Sequence, residues 1–214
     1  MREQLNNNKL LTEKHITGSC IISKGKVIKD GVTLFEKDTD LPDFLLSIYH
    51  HFQVNYPKFY KMDNLSKLGW LTAEVLLKDS FQHDNYKPED TGVILANANS
   101  SLDDDIKYFA SINDVASPSL FVYTLPNIVI GEICIRNHFK GEQAFYIQPE
   151  FDSDFIAQQV NYLLDKDILQ TSICGWVDVL EQEYKAVLFL VEKKKNEDSV
   201  LFSAENMNNI FINS

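Results

Sequence analysis

The segment that most limits how this chain can fold is the run Gly92-Val93-Ile94-Leu95-Ala96. An uninterrupted series of small and apolar residues is typical of a β-strand that is buried on both faces of its sheet. Such a strand needs a layer of helices on each side, because a sheet face of this composition is not stable in water. The run therefore predicts a sheet flanked by helices.

Strand and helix patterns alternate along the rest of the chain. β-branched and apolar runs predict strands at His15–Ser23, at 27–35 as a hairpin partner, and at 90–97, 144–147, 168–179, 186–191 and 199–202. Apolar periodicity predicts helices over 41–53, after an N-cap at Asp63, from Ser100 or Ser101 to Phe109, over 127–139 and over 153–164. The helix over 127–139 is apolar nearly all round, so we expect it to be buried and to end at Gly141. The alternation predicts a single α/β domain over residues 1–214, with a mixed sheet.

Charge and composition exclude several classes of function. The 214 residues carry a net charge of -11 without a basic stripe, which argues against binding to nucleic acid or to an anionic membrane surface. The polar start of the chain does not resemble a signal peptide, and nowhere do 18 apolar residues follow one another. Cys20, Cys134 and Cys174 are scattered and odd in number, which is typical of reduced thiols. We expect a cytoplasmic protein without a membrane segment.

The residues that could carry chemistry do not form a catalytic pattern. Eight glycines without phosphate-loop spacing give no cofactor cradle. His50 and His51 are adjacent on a helix, so they cannot both bind one metal ion from that face. The carboxylates of residues 103–105 fit the first turn of a helix better than a metal site. The three cysteines lie in apolar segments and are expected to be buried, so we predict no metal, no cofactor and no nucleophilic thiol.

The chain contains, in this order, the segments HITGSCIIS, KMDNLSKLGWLTAEVLLKD and DTGVILANANSS. They resemble the N-terminal half of β-ketoacyl-acyl-carrier-protein synthases, which have the thiolase fold. The most specific segment is Ser117–Glu142, which has the family's Ser-Pro pair followed by Asn127, Gly131 and Gly141. The resemblance is strongest over residues 17–191 and implies a thiolase-like layered fold, of which this chain would hold the N-terminal half only.

The resemblance places Glu150 where these synthases have their nucleophilic cysteine. Counting from Asn127 and Gly141 through GEQAFYIQPEF puts Gln148-Pro149 before this position and a helix behind it. A carboxylate cannot form the acyl thioester that the family's chemistry requires. The family's catalytic histidines and lysine come from a C-terminal half, whereas this sequence ends at Ser214. The resemblance therefore implies a subunit that is not an enzyme.

Loss of catalysis on a retained scaffold is typical of chain length factors, which are ketosynthase-like subunits. A half-size version resembles components of aryl polyene and flexirubin-type pigment pathways. The implied partner is a full-length ketosynthase, while acyl carrier protein, itself acidic, would be engaged only indirectly through that partner. The implied pocket and interface residues are Phe121, Tyr123, Leu125, Asn127, Phe145, Tyr146 and Glu150.

Two alternatives stay open on the sequence. The first is a stand-alone homodimer that binds an acyl group or a carrier protein. The second is a decarboxylating enzyme that uses Glu150 as a general base, which requires a substrate cavity and a shifted carboxyl pKa. The aromatic candidates would also be explained as ordinary core residues.

Overall fold

The computed structural model describes residues 13–112 and 117–213, and the strands in these ranges form one mixed sheet. The strands are β1 (His15–Ser23), β2 (Lys26–Lys29), β3 (Val32–Glu36), β4 (Thr91–Asn97), β5 (Gln143–Ile147), β6 (Thr171–Leu180), β7 (Glu183–Glu192) and β8 (Val200–Leu201). Their order is β3-β2-β1-β7-β6-β4-β5, and β8 pairs with the start of β1. β4 runs parallel to β5 and β6, whereas β7 is antiparallel to β6 and β1.

Helices cover both faces of this sheet. They are α1 (Leu41–His51), α2 (Asn64–Leu77), α3 (Leu102–Ser111), α4 (Pro118–Tyr123), α5 (Ile128–Asn137), α6 (Ser153–Asp165) and α7 (Ala204–Ile212). The predicted N-cap at Asp63 is confirmed, because its carboxylate accepts hydrogen bonds from the amides of Leu65 and Ser66 at 3.1 and 3.0 Å. Across residues 13–112 and 117–213, each helix is too short or too polar to cross a membrane.

Two hydrophobic cores lie on opposite faces of the sheet. Alternate residues of β7 point to different cores, Leu188 and Leu190 to one and Val187 and Phe189 to the other. The first core is closed by α1, α2 and α5, and the second by α6 and α7. All residues of β4 are buried, as the apolar run predicts, because β4 lies between β5 and β6 under both helix layers.

The structure corrects the prediction for residues 127–139. α5 is shorter, and it has a solvent face on which 61% of Ile135 is exposed. It ends where His138 adopts a left-handed conformation, at φ 59°, not at Gly141. Gly141 is required for another reason: a Cβ atom there would lie 2.5 Å from the carbonyl oxygen of Thr91. It permits the close approach of the chain to β4 before β5 begins.

Other boundaries also differ from the predictions. The strand expected over 168–179 begins only at Thr171, and Ile168 is exposed in the preceding turn. The strand expected over 199–202 contains only the two residues of β8. Helices α4 and α7 were not predicted, because α4 has six residues and α7 is rich in asparagine, so neither shows a clear apolar period.

Candidate functional site

Glu150 lies in the loop that connects β5 to α6. The register of β5 against β4 continues to Gln148, whose amide donates a hydrogen bond to the carbonyl oxygen of Asn97 at 2.9 Å. The chain then turns, and Asp152 caps α6 by accepting a hydrogen bond from the amide of Phe155 at 2.9 Å. The strand-loop-helix arrangement that the resemblance implies around Glu150 is therefore present.

The surroundings of Glu150 are polar and open. Its side chain is exposed in a cleft of about 260 Å³ that also contains Asp152, Asp154 and Asn208. Among the described residues, no lysine, arginine or histidine forms an ion pair with Glu150. The surroundings that the structure describes therefore bring Glu150 solvent and two further carboxylates.

The residue after Glu150 is held firmly in the second core. The ring of Phe151 stacks on Phe211 of α7, with ring centroids 4.1 Å apart, and it also contacts Trp176 and Phe189. These contacts hold the loop against the second core, while the side chain of Glu150 is exposed to solvent. The packing of Phe151 thus positions the loop, whereas the exposed side chain of Glu150 forms no ion pair with a described residue.

The three cysteines are buried, as predicted. Burial raises the pKa of the Cys134 thiol to about 12 and raises the pKa values of Cys20 and Cys174 as well. None of them can supply a thiolate near neutral pH. Within the part of the chain that the structure describes, no three histidine, cysteine or carboxylate side chains are grouped so that they could hold a metal ion.

The candidates on α4 and in the loop after it separate into exposed and buried residues. Phe121 is 59% exposed and Leu125 is also exposed, whereas Tyr123 is 7% exposed and packs into the first core. Burial and the nearby carboxylate of Glu132 raise the pKa of Tyr123 to about 12. Glu132 is itself buried on α5 and forms an ion pair of 2.7 Å with Lys58. Phe121 and Leu125 are therefore accessible from solvent, while Tyr123 belongs to the first core.

Phe145 and Tyr146 point to opposite faces of the sheet, because successive residues of a strand alternate. Phe145 faces α5 and, with Asn127, Pro126 and Ile130, lines a hollow of about 520 Å³. The side chain of Tyr146 faces α6, where its hydroxyl donates a hydrogen bond to Gln159 Oε1 at 3.2 Å. Of the predicted residues, Asn127 and Phe145 are thus brought together, and Tyr146 is separated from them by the sheet.

A further group of exposed apolar residues lies on α3, on α4 and just after α4, and the sequence prediction missed its α3 part. We call it the α3–α4 surface, and it consists of Leu102, Ile106, Phe109, Phe121, Val122 and Leu125, all of them exposed. The two helices are in contact, since the rings of Tyr108 and Phe121 are 5.5 Å apart and Ser101 Oγ donates to the carbonyl oxygen of Thr124 at 2.8 Å. The spacing of Leu102, Ile106 and Phe109 is the signal that could have identified this stripe.

β5 forms one edge of the sheet. Its backbone is hydrogen-bonded to β4 on one side, and no described strand pairs with it on the other. The hollow lined by Asn127 and Phe145 lies beside this strand, and Leu125, part of the α3–α4 surface, precedes its residues Pro126 and Asn127 in the chain. An unpaired strand edge is a ready site for pairing with another chain.

Solved structures with the same fold include ketosynthases and their complexes. The ishigamide ketosynthase/chain length factor matches 84% of this chain with a TM-score of 0.63 at 16% identity. A structure of ketosynthase ApeO in complex with its chain length factor ApeC from Xenorhabdus doucetiae matches 87% of this chain with a TM-score of 0.53 at 11% identity. A β-ketoacyl synthase from Burkholderia phymatum STM815 matches 86% with a TM-score of 0.57, also at 11% identity.

This chain has the thiolase-like fold of ketosynthases and chain length factors. The predicted fold class, an α/β structure with a mixed sheet flanked by helices, is confirmed. The match covers 62% of the ishigamide protein's chain, 60% of the Burkholderia synthase and 81% of the matched chain in the ApeO–ApeC complex. This chain therefore spans less than two thirds of the length of the ishigamide protein's chain. No protein-family model and no curated protein sequence matches it.

Proposed function

We propose that this chain is a non-catalytic, chain-length-factor-like subunit that pairs with an active β-ketoacyl-acyl-carrier-protein synthase. The observation that carries this proposal is the edge of β5, with which no described strand pairs, together with the exposed α3–α4 surface. A ketosynthase is the partner to expect, because two of the structures that share this fold are described as a ketosynthase with its chain length factor.

The proposed interface combines two kinds of interaction. Pairing with the edge of β5 would satisfy backbone groups that now face water, and it would set the register of the two subunits. Burial of Phe109, Phe121 and Leu125 would supply the hydrophobic free energy, at roughly 25 cal/mol per Å² of apolar surface. Several exposed apolar residues on two helices that contact each other are typical of an interface.

The hollow lined by Asn127 and Phe145 is the place where the proposed pairing would bind the product chain. Residues of β5 line it, so a partner seated on the β5 edge would add a second wall and form a chamber between both subunits. Pro126, Ile130 and Phe145 contribute apolar side chains to its wall, which suit a growing acyl or polyene chain. This chain would then limit the length of the product without carrying out the condensation.

The exposed Glu150 supports a subunit without its own chemistry, because no described group activates it. The acidic charge of the chain supports indirect contact with an acyl carrier protein, since two acidic proteins repel each other. An aryl polyene or flexirubin-type pigment pathway is the setting that we propose, and ApeO with its chain length factor ApeC supports it by fold alone. The chain would act in the cytoplasm.

The decisive experiment is co-expression with a ketosynthase encoded beside this chain, followed by size-exclusion chromatography with light scattering. We expect a one-to-one heterodimer that survives purification. Leu125→Glu or Phe121→Glu should weaken it at least about tenfold, because a charge would be buried against apolar surface. Tyr162→Glu, at an exposed position on α6, is the matched control and should leave the heterodimer intact. A stable homodimer with no affinity for the ketosynthase would refute the pairing.

A second experiment separates this function from decarboxylation. The purified chain is incubated alone with a malonyl-carrier substrate, and carbon dioxide release is measured. We expect release at the uncatalysed rate, both for the natural chain and for Glu150→Ala. Release that depends on Glu150 would identify the chain as an enzyme and would overturn the proposal.

A further inference from the structure

α3 is attached to the rest of the molecule through carboxylates. Its apolar stripe faces outward, and the buried side chains of this helix are those of Asp103 and Asp104. Asp103 is fully engaged: it accepts hydrogen bonds from the Glu181 amide at 3.0 Å and from Asn64 Nδ2 at 3.3 Å, and it pairs with Lys107 at 2.6 Å. Helix attachment by buried acidic groups is unusual, because burial opposes ionisation.

Asp104 lacks the partners that Asp103 has. It is only 1% exposed, and its Oδ2 atom accepts no hydrogen bond from any residue that the structure describes. The nearest charges are mostly negative, since Asp63 at the start of α2, Asp103 and Asp105 all oppose its ionisation. Lys107 favours ionisation, but its ammonium group is already paired with Asp103.

The other described elements packed against α3 bring no cation to Asp104. On α2, the charge of Lys67 acts on the Asp63 carboxylate. α4 carries no charged side chain. On β6, the carboxylate of Asp178 accepts hydrogen bonds from two amides of the loop after β4 at 3.2 and 3.0 Å, and the Glu181 amide in the next turn is already used. The Asp104 carboxylate is thus buried mostly among like charges.

We infer that Asp104 is a proton-dependent latch that holds α3 in place when it is uncharged and loosens α3 when it ionises. The uncharged carboxyl can stay buried beside Asp63 and Asp103, whereas the ionised form gains hydration if α3 moves away from α2. Because α3 carries Leu102, Ile106 and Phe109, its position determines the shape of the α3–α4 surface. The latch would make this surface sensitive to pH.

The direction of the effect follows from the electrostatics. Burial, and then the Asp63 carboxylate, raise the pKa of Asp104 to about 6 in the folded chain. The ordinary value is about 3.9. A raised carboxyl pKa contributes stability that is fully present below the ordinary value and is lost as the pH rises through the folded value. α3 should therefore be held most firmly below about pH 4, should loosen as the pH rises from about 4 through about 6, and should change little above that range.

Hydrogen exchange of the α3 amides, corrected for the intrinsic pH dependence of exchange, tests this inference. Between about pH 4 and pH 7.5 the opening of α3 should increase by about one to two powers of ten, since each pKa unit corresponds to about a factor of ten. Asp104→Asn should remove this increase, because the amide stays uncharged and has nearly the same size. Asp105→Asn removes the same charge at a less buried position on the same helix; because Asp105 is only one of the carboxylates that oppose ionisation of Asp104, this variant should reduce the increase slightly and retain most of it.

Two outcomes would overturn the inference. The first is that the opening of α3 in Asp104→Asn still increases with pH, by about as much as in the natural chain and in Asp105→Asn. The other concerns the natural chain and does not depend on any variant folding: a carbon-13 titration in which the Asp104 carboxyl ionises near its ordinary value. All measurements use this chain alone, so their result is independent of whether it pairs with a ketosynthase.

Discussion

α3 and α6 are both amphipathic helices, yet they are oriented in opposite ways. α6 turns Ile156, Val160 and Leu164 toward the sheet and leaves Tyr162 and other polar residues in solvent. α3 turns two aspartates toward the molecule and leaves Leu102, Ile106 and Phe109 outside. A helix is normally held by its apolar face. α6 follows this rule, whereas no described element of the chain covers the apolar face of α3.

α6 thus belongs to the part of the structure that stabilises the fold, whereas the outer face of α3 is exposed and accessible to other molecules. The α6 side of the sheet is complete, because α7 packs beside α6 and Phe211 stacks on Phe151. The α3–α4 surface has no covering layer among the described residues, and no described strand pairs with the outer edge of β5. Substitutions on α6 should therefore change the free energy of unfolding, and substitutions on the outer face of α3 should change association.

The largest effect is expected for Leu164→Ala on α6. Leu164 is buried in the second core, and removal of its side chain leaves a cavity that costs about 2–5 kcal/mol of unfolding free energy. Urea denaturation measures this change. Tyr162→Ala, two residues away on the exposed face, is the control and should stay within about 0.5 kcal/mol of the natural chain. Similar losses for both variants would show that the α6 layer is not packed as described.

An intermediate effect is expected for Asp103→Ala on α3. The substitution leaves the Glu181 amide without its acceptor and Lys107 without its ion pair, at a cost of about 1–3 kcal/mol. Chemical denaturation at pH 7 gives the value. Asp105→Ala on the same helix should cost clearly less, because Asp105 is only partly buried. If Asp103→Ala is neutral, α3 is not held by its carboxylates.

The smallest effect on stability is expected for Phe109→Ala. Phe109 is 75% exposed, so its removal should change the unfolding free energy of the isolated chain by no more than about 0.5 kcal/mol. Thermal unfolding at low protein concentration tests this, and the same variant should be less prone to self-association at high concentration. A loss above about 1 kcal/mol would mean that the stripe is covered within the chain itself, and the contrast with α6 would disappear.

The sequence predicted much of the fold because the signals involved are local. The apolar run of β4, the cap at Asp63 and the stripe of α6 each lie within a few neighbouring residues, and the structure contains all three. The strand-loop-helix order around Glu150 was also predicted. The single domain over residues 1–214, the correspondence of Glu150 to a nucleophile and the interface residues stay predictions.

Some features of the site were predicted only in part. The carboxylates of residues 103–105 were attributed to the electrostatics of a helix start, and they do lie in the first turn of α3. Their burial was not foreseen, because it depends on α2 and on the turn between β6 and β7, which are distant in sequence. Tyr123 was grouped with Phe121 and Leu125, although its side chain packs into the core.

By itself, the sequence determined where strands and helices form, which cysteines are buried and that the sheet has helices on both faces. These properties depend on residue type and on short periods along the chain. Only the tertiary structure decided which way each amphipathic helix faces. It turned the apolar stripe of α3 outward, buried Asp104 among other carboxylates and left β5 at an edge. The period of a helix identifies its apolar face, but the neighbouring elements determine whether that face meets the core or the solvent.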